Sequence, residues 1–206
     1  ELFTRQFGTG GADSATALLV RDDGAGGFDV YTGGVENDRG VLRKFNYSSN
    51  AGFVAGASRD IGHFHKSAIN TLAYDNGALY VGGEITGERV NVGGLARGAV
   101  AGQEGFVAKL DAGLVSLAQD RTTYIGSAQD DVVRGIAIVG GIVYASGNSG
   151  GVMAGQGASN ARSAFLTRLD AEGDIAWMRS FASAAGTLTM SGFAVDNSGA
   201  SALDIL

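Results

Sequence analysis

The chain has 206 residues, 35 of them glycine and none proline or cysteine, and a formal net charge of -6. The acidic balance opposes nucleic acid, whose affinity rests on basic groups neutralising phosphates, and the lack of cysteine excludes disulfides and thiolate metal sites. The longest apolar stretch, residues 135–145, is about half of the roughly 20 residues a membrane helix needs and contains a turn, so no membrane insertion is expected.

Glycine at about 17% against a usual ~7%, with no Gly-X-Y period and with recurrent aromatic and β-branched runs, points to short strands joined by tight turns. Residues 2–8, Leu-Phe-Thr-Arg-Gln-Phe-Gly, read as the outer, fourth strand of a sheet whose first three strands are missing. Glu1 carries neither an initiator methionine nor a signal-peptide pattern, which reads as removal of whatever came first. From Thr9 onward the chain repeats itself. The first unit, about 9–62, has an apolar strand over 15–20, a turn at Asp23-Gly24-Ala25-Gly26-Gly27, and a second strand over 28–34 with Tyr31 near its middle. A third strand over 41–46 alternates apolar residues with basic ones, and a fourth covers 54–61.

The second unit, about 63–126, runs through strands at 68–74, 79–83, 106–111 and 117–125, with Asp75-Asn76-Gly77 as its first turn. The third, about 127–182, has strands at 133–139, 143–147, 165–170 and 175–181 around the turn Gly140-Gly141. A partial copy, 183–206, begins with a strand over 193–196 and leaves the pattern after Gly199. Asn-Gly and Gly-Gly supply the positive φ of two-residue hairpins, so the strand pairs are antiparallel. Four such strands at a period of about 50 to 65 residues make an all-β chain, a β-propeller of four-stranded antiparallel blades, about three and a half of them.

Arg5-Gln6-Phe7-Gly8 followed by Asp13-Ser14-Ala15, Phe106-Val107-Ala108-Lys109-Leu110-Asp111, and Leu169-Asp170-Ala171-Glu172-Gly173-Asp174-Ile175-Ala176-Trp177 resemble the bacterial seven-bladed repeat called the SBBP family. More weakly, the set is similar to the propeller portion of alphaproteobacterial flagellin-regulatory or flagellum-associated proteins. The resemblance implies a cell-surface or secreted setting and no enzyme activity. Departures are the missing tryptophan in the first unit and Lys66 in place of an expected aspartate in the second.

In a propeller, the fourth-to-first and second-to-third connections emerge on one face, where ligands commonly bind. Here that face has long insertions at 87–105 and 148–163, each readable as a binding loop or as a mobile or packing segment. His63-Phe64-His65 puts two imidazoles on one side of an extended chain, near Asp60 and Lys66, but a metal site lacks further ligands, so solvated loop histidines are expected. Asp13, Asp130 and Asp131 read as structural residues that begin inner strands, and the acidic glycine turns as turn chemistry rather than calcium loops. Arg89, Arg97 and Arg162 are the arginines an anionic glycan would meet.

The reading is a non-enzymatic module, without cofactor, for assembly or for binding a protein or glycan partner. The alternative is a fragment of a carbohydrate-active lyase or sialidase-like enzyme. Self-association or flanking segments are expected to complete the ring, because an open sheet edge invites pairing. The ends would close a small ring if 2–8 paired with the blade begun at 193–196; a piece of a larger ring is the favoured reading.

Overall fold

The computed structural model describes residues 6–92, 95–97, 102–156, 162–182, 187–193, 195–196 and 204–205, with 95–97, 195–196 and 204–205 described by backbone alone. Strands and turns account for the regular structure of the described residues, with no helix among them. The first sheet joins β1 (Asp13–Asp22), β2 (Phe28–Glu36), β3 (Arg39–Ser48) and β4 (Gly52–His63) in chain order, each antiparallel to the next. In the second, β5 (Ala68–Asp75), β6 (Ala78–Thr86), β8 (Gln103–Asp111) and β9 (Arg121–Ile125) do the same, and the short β7 (Leu95–Arg97) lies parallel outside β9. The third comprises β10 (Asp131–Val139), β11 (Ile142–Ser149), β12 (Ser163–Leu169) and β13 (Ile175–Phe181). A two-stranded ladder of β14 (Val195–Asp196) and β15 (Asp204–Ile205) follows.

Hairpin chemistry sets the register. Asn76 and Gly77 have φ of 42° and 81°, Gly140 and Gly141 56° and 77°, the left-handed pairs whose twist matches that of the flanking strands. Asn37 and Asp38, at 47° and 62°, close β2 onto β3 in the same way without a glycine, since Asn and Asp tolerate that region. A second device recurs in every inner strand. The ladder slips by one residue at Thr16, Asn70 and Arg134, and opposite each bulge stands a glycine, Gly34, Gly83 or Gly147. An added Cβ there would run into the carbonyl oxygen of Ser14, Ala68 or Val132, so the small-residue pair ending each second strand is a packing requirement.

The sheets stack face to face, with β5 lying between β1 and β10. Two bulge residues tie consecutive inner strands together: the Thr16 hydroxyl donates to the Ile69 carbonyl at 2.5 Å, and the Asn70 amide to that of Val133 at 3.0 Å. Between the first and second sheets, Leu42, Ile61, Phe64, Ile69 and Phe106 are buried, Phe64 meeting Phe106 edge-on at 5.9 Å. Between the second and third, Val107, Ile125, Val133, Phe165 and Met153 form a second core. Full burial of each such side chain contributes about 1.5–3 kcal/mol.

Several boundaries differ from expectation. Residues 117–120 form a turn, not a strand, because the Asp120 carboxylate accepts the NH groups of Leu117 at 2.9 Å and Asp111 at 3.2 Å. Strand β8 starts at Gln103 and β11 extends to Ser149, so the insertions are 87–102 and 150–162. Both send apolar anchors into the cores, Val90 and Val92 from one and Met153 from the other. Residues 6–8 belong to no strand, residues 2–5 lie outside the described residues, and β14 pairs with β15.

The face of the first sheet that points away from the second is bare. Leu18 is 66% exposed there and Val20 54%. The register equivalents of Leu18 in the next two sheets, Leu72 and Ile136, are 8% and 9% exposed, because a preceding sheet covers them.

Candidate functional site

The connections that enter β1 and β10 share one construction. Asp13 accepts the Thr9 NH at 2.6 Å and the Thr9 hydroxyl at 2.8 Å, while Thr9 Oγ1 takes the Gly11 NH at 3.0 Å. In the third unit Asp131 accepts the Ser127 NH at 2.6 Å and the Ser127 hydroxyl at 3.0 Å, and Ser127 Oγ takes the Gln129 NH at 3.1 Å. A carboxylate four residues after a hydroxyl thus locks the crossing from sheet to sheet. In the second unit, the register places Ser67 at this position rather than Lys66, and Ser67 Oγ accepts the Thr86 NH at 3.0 Å. Lys66 is an exposed turn residue with φ of 56°.

The two aspartates differ electrostatically. The Thr9 NH and hydroxyl hold exposed Asp13 below the ordinary carboxylate value. Burial pushes the Asp131 carboxyl up, against the pull of its bonds to Ser149, Ser127 and Gly150. Asp130 is exposed and precedes the strand, its carbonyl accepting the Gly150 NH at 2.7 Å.

His63 and His65 flank Phe64, whose ring is anchored in the core, and both imidazoles are exposed. His65 Nδ1 stands 3.7 Å from Asp38 Oδ1. Asp60 is engaged elsewhere, gripped by Arg39 through Nε at 2.7 Å and Nη2 at 2.9 Å while accepting the Gly62 NH at 2.8 Å. Burial would raise its pKa, but these bonds outweigh burial and hold it below the ordinary carboxylate value. Among the described residues, no three His, Asp or Glu side chains cluster as metal ligands do.

Arg89 and Arg97 both belong to the insertion beside β9, and Arg162 to the third unit. Arg89 lies over the Tyr124 ring at 5.8 Å, beside the second sheet. Arg162 is in the third unit, where its carbonyl accepts the Leu188 NH at 3.2 Å. Arg97 sits in β7, where the structure describes the backbone alone.

A feature that sequence reasoning missed lies between the sheets. Each second-strand tyrosine pairs across the ladder with a basic residue of the third strand: Tyr31 with Lys44, Tyr80 with Lys109, Tyr144 with Arg168. The ammonium groups of Lys44 and Lys109 each sit 5.6 Å from the ring centroid of their tyrosine. Between the first two sheets this pair adjoins a filled polar cluster. Buried Asp29 binds Arg21 at 2.5 Å, Lys44 at 3.1 Å and Asn46 at 2.6 Å, and Arg21 stacks 4.1 Å from the Tyr74 ring centroid. Between the second and third sheets the corresponding place is an open cleft of about 280 Å³, lined by Tyr80, Lys109, Arg121, Asp75 and Asp170 among others. The signal was the aromatic in each second strand and the base in each third, both visible in sequence but not connected until the register paired them.

No protein-family model matches the chain, so the SBBP likeness rests on its motifs. The chain is similar to Regulatory protein FlaEY of Caulobacter vibrioides, with 29% identity over 229 aligned positions that take in 98% of this chain. Those positions make up 24% of that protein, so the chain spans about a quarter of the relative's length.

Proposed function

We propose that the chain is a run of β-propeller blades acting as a non-enzymatic binding module, outside the cell and associated with the flagellum. The observation that carries the architecture is the bare outer face of the first sheet. Leu18 occupies a position buried in both following sheets and Val20 one that is partly buried in both, so this face is shaped for one more sheet of the same repeat. The inner strands, joined bulge to carbonyl, line one side of the stack as a propeller's central strands do. The flagellar role draws on the motif resemblance and on the regulatory name of the similar protein. Engagement of the Asp13 and Asp131 carboxylates by their own connections, and the placement of Arg89 and Arg162 in different units, support a binding role over glycan cleavage.

Biolayer interferometry against purified flagellin, as monomer and as filament, tests the role. Saturable binding to either supports it. Lack of binding to both removes the flagellar reading, and glycan turnover dependent on Asp13 or Asp131 would put an enzyme in its place.

A further inference from the structure

We propose that the cleft between the second and third sheets binds a small zwitterion of amino-acid size, with its carboxylate on Lys109 and its cationic group on Asp75. Two places in the molecule are equivalent by register. Between the first and second sheets the chain fills the place itself, with the Asp29 carboxylate held by Arg21 and Lys44 and the Arg21 guanidinium resting on Tyr74.

The strand registers give the counterparts one sheet further on. Ala78 stands where Asp29 stands, Asp75 where Arg21 stands, and Ile138 where Tyr74 stands, while Lys109 and Tyr80 keep the places of Lys44 and Tyr31. Three replacements therefore remove a carboxylate, a guanidinium and the ring on which it lay. The conserved part of the arrangement, an ammonium over a tyrosine ring, remains at 5.6 Å. Among the described residues Lys109 has no carboxylate in ion-pair contact, whereas Lys44 has Asp29 at 3.1 Å.

The resulting space, about 280 Å³, is close to the low end of the ~300–1,000 Å³ of small-molecule sites, which limits the ligand to few heavy atoms. Its charges are the imprint of the missing Arg-Asp pair: a cation that has lost its carboxylate and an aspartate standing where a guanidinium stood. A simple anion would meet Lys109 and Arg121 but be repelled by Asp75 and Asp170, and a simple cation would meet the same two bases with the wrong sign. A zwitterion satisfies both ends, and Tyr80, Val143 and Leu169 offer apolar wall to what lies between.

The test is isothermal titration of the full chain with standard L-amino acids, alongside propionate and propylamine as single-charge controls. At least one amino acid is expected to saturate below about 10 mM and to bind ~10-fold or more tightly than either control. Lys109→Met should weaken that binding ~10-fold or more, and Ala78→Asp, which restores an internal carboxylate, should abolish it; thermal melts establish that each variant is folded. Should Lys109→Met fail to fold, Ala78→Asp decides alone. No saturable binding of any amino acid, equal binding of propionate, or binding that survives in the folded variants would overturn the assignment.

Discussion

Asp13 and Asp131 occupy one position in two units, accept the same pair of groups from a hydroxyl residue four places earlier, and yet are shifted in opposite directions. Asp13 lies in water, so its bonds decide; Asp131 is wholly buried, so desolvation does. The consequences for stability have opposite signs. The stabilising effect of Asp13 is complete above the ordinary value of 3.8 and fades as pH falls through its depressed value. Asp131, whose carboxyl is raised, favours the folded state most when protonated, and its contribution declines as pH climbs from 3.8 through the raised value. Asp131→Asn turns an amide NH₂ toward the Ser127 NH and is expected to destabilise by about 1–3 kcal/mol. Urea unfolding at about pH 4 and about pH 7 should show the larger deficit in acid; a deficit that grows toward neutrality would contradict the raised carboxyl.

At the scale of strands and loops, β4 does more than close its sheet. Arg59, 7% exposed, reaches across to the second sheet and pairs with Asp120, 1% exposed, at 2.8 Å. It also donates to the Val92 carbonyl at 2.6 Å and the Val115 carbonyl at 3.0 Å, fastening two loops at once. Arg59→Met should strand the Asp120 charge and destabilise by about 3–5 kcal/mol, whereas the double replacement with Asp120→Asn should recover part of the loss. A double mutant no more stable than Arg59→Met would refute the pairing as the cause. This contact also marks where sequence reading stops. The turns at 75–77 and 140–141 were legible because glycine announces positive φ, and the strand cores because apolar alternation does. The Asn37-Asp38 turn has no glycine to announce it, and 117–120 reads as strand because the cap that bends it, Asp120, works through a side chain. The cleft was invisible because Ala78 becomes informative only when aligned with Asp29 by register.

The whole molecule is a stack whose first face is uncovered. In the isolated chain, a second copy is the available source of a matching sheet, so concentration-dependent association is expected by light scattering. Leu18→Lys combined with Val20→Lys should suppress it while leaving the melting behaviour nearly unchanged, since both side chains already face water; association that survives the pair would place the contact elsewhere. The bulge contacts constrain the form of that assembly. Each runs one way, from a side chain on one sheet to a carbonyl on the next, so the stack has a donating end and an accepting end. Two surfaces of that kind cannot be related by a twofold axis. Copies joined through them repeat by a single rotation, growing into a closed ring if the rotation divides a full circle and into an open helical filament if it does not.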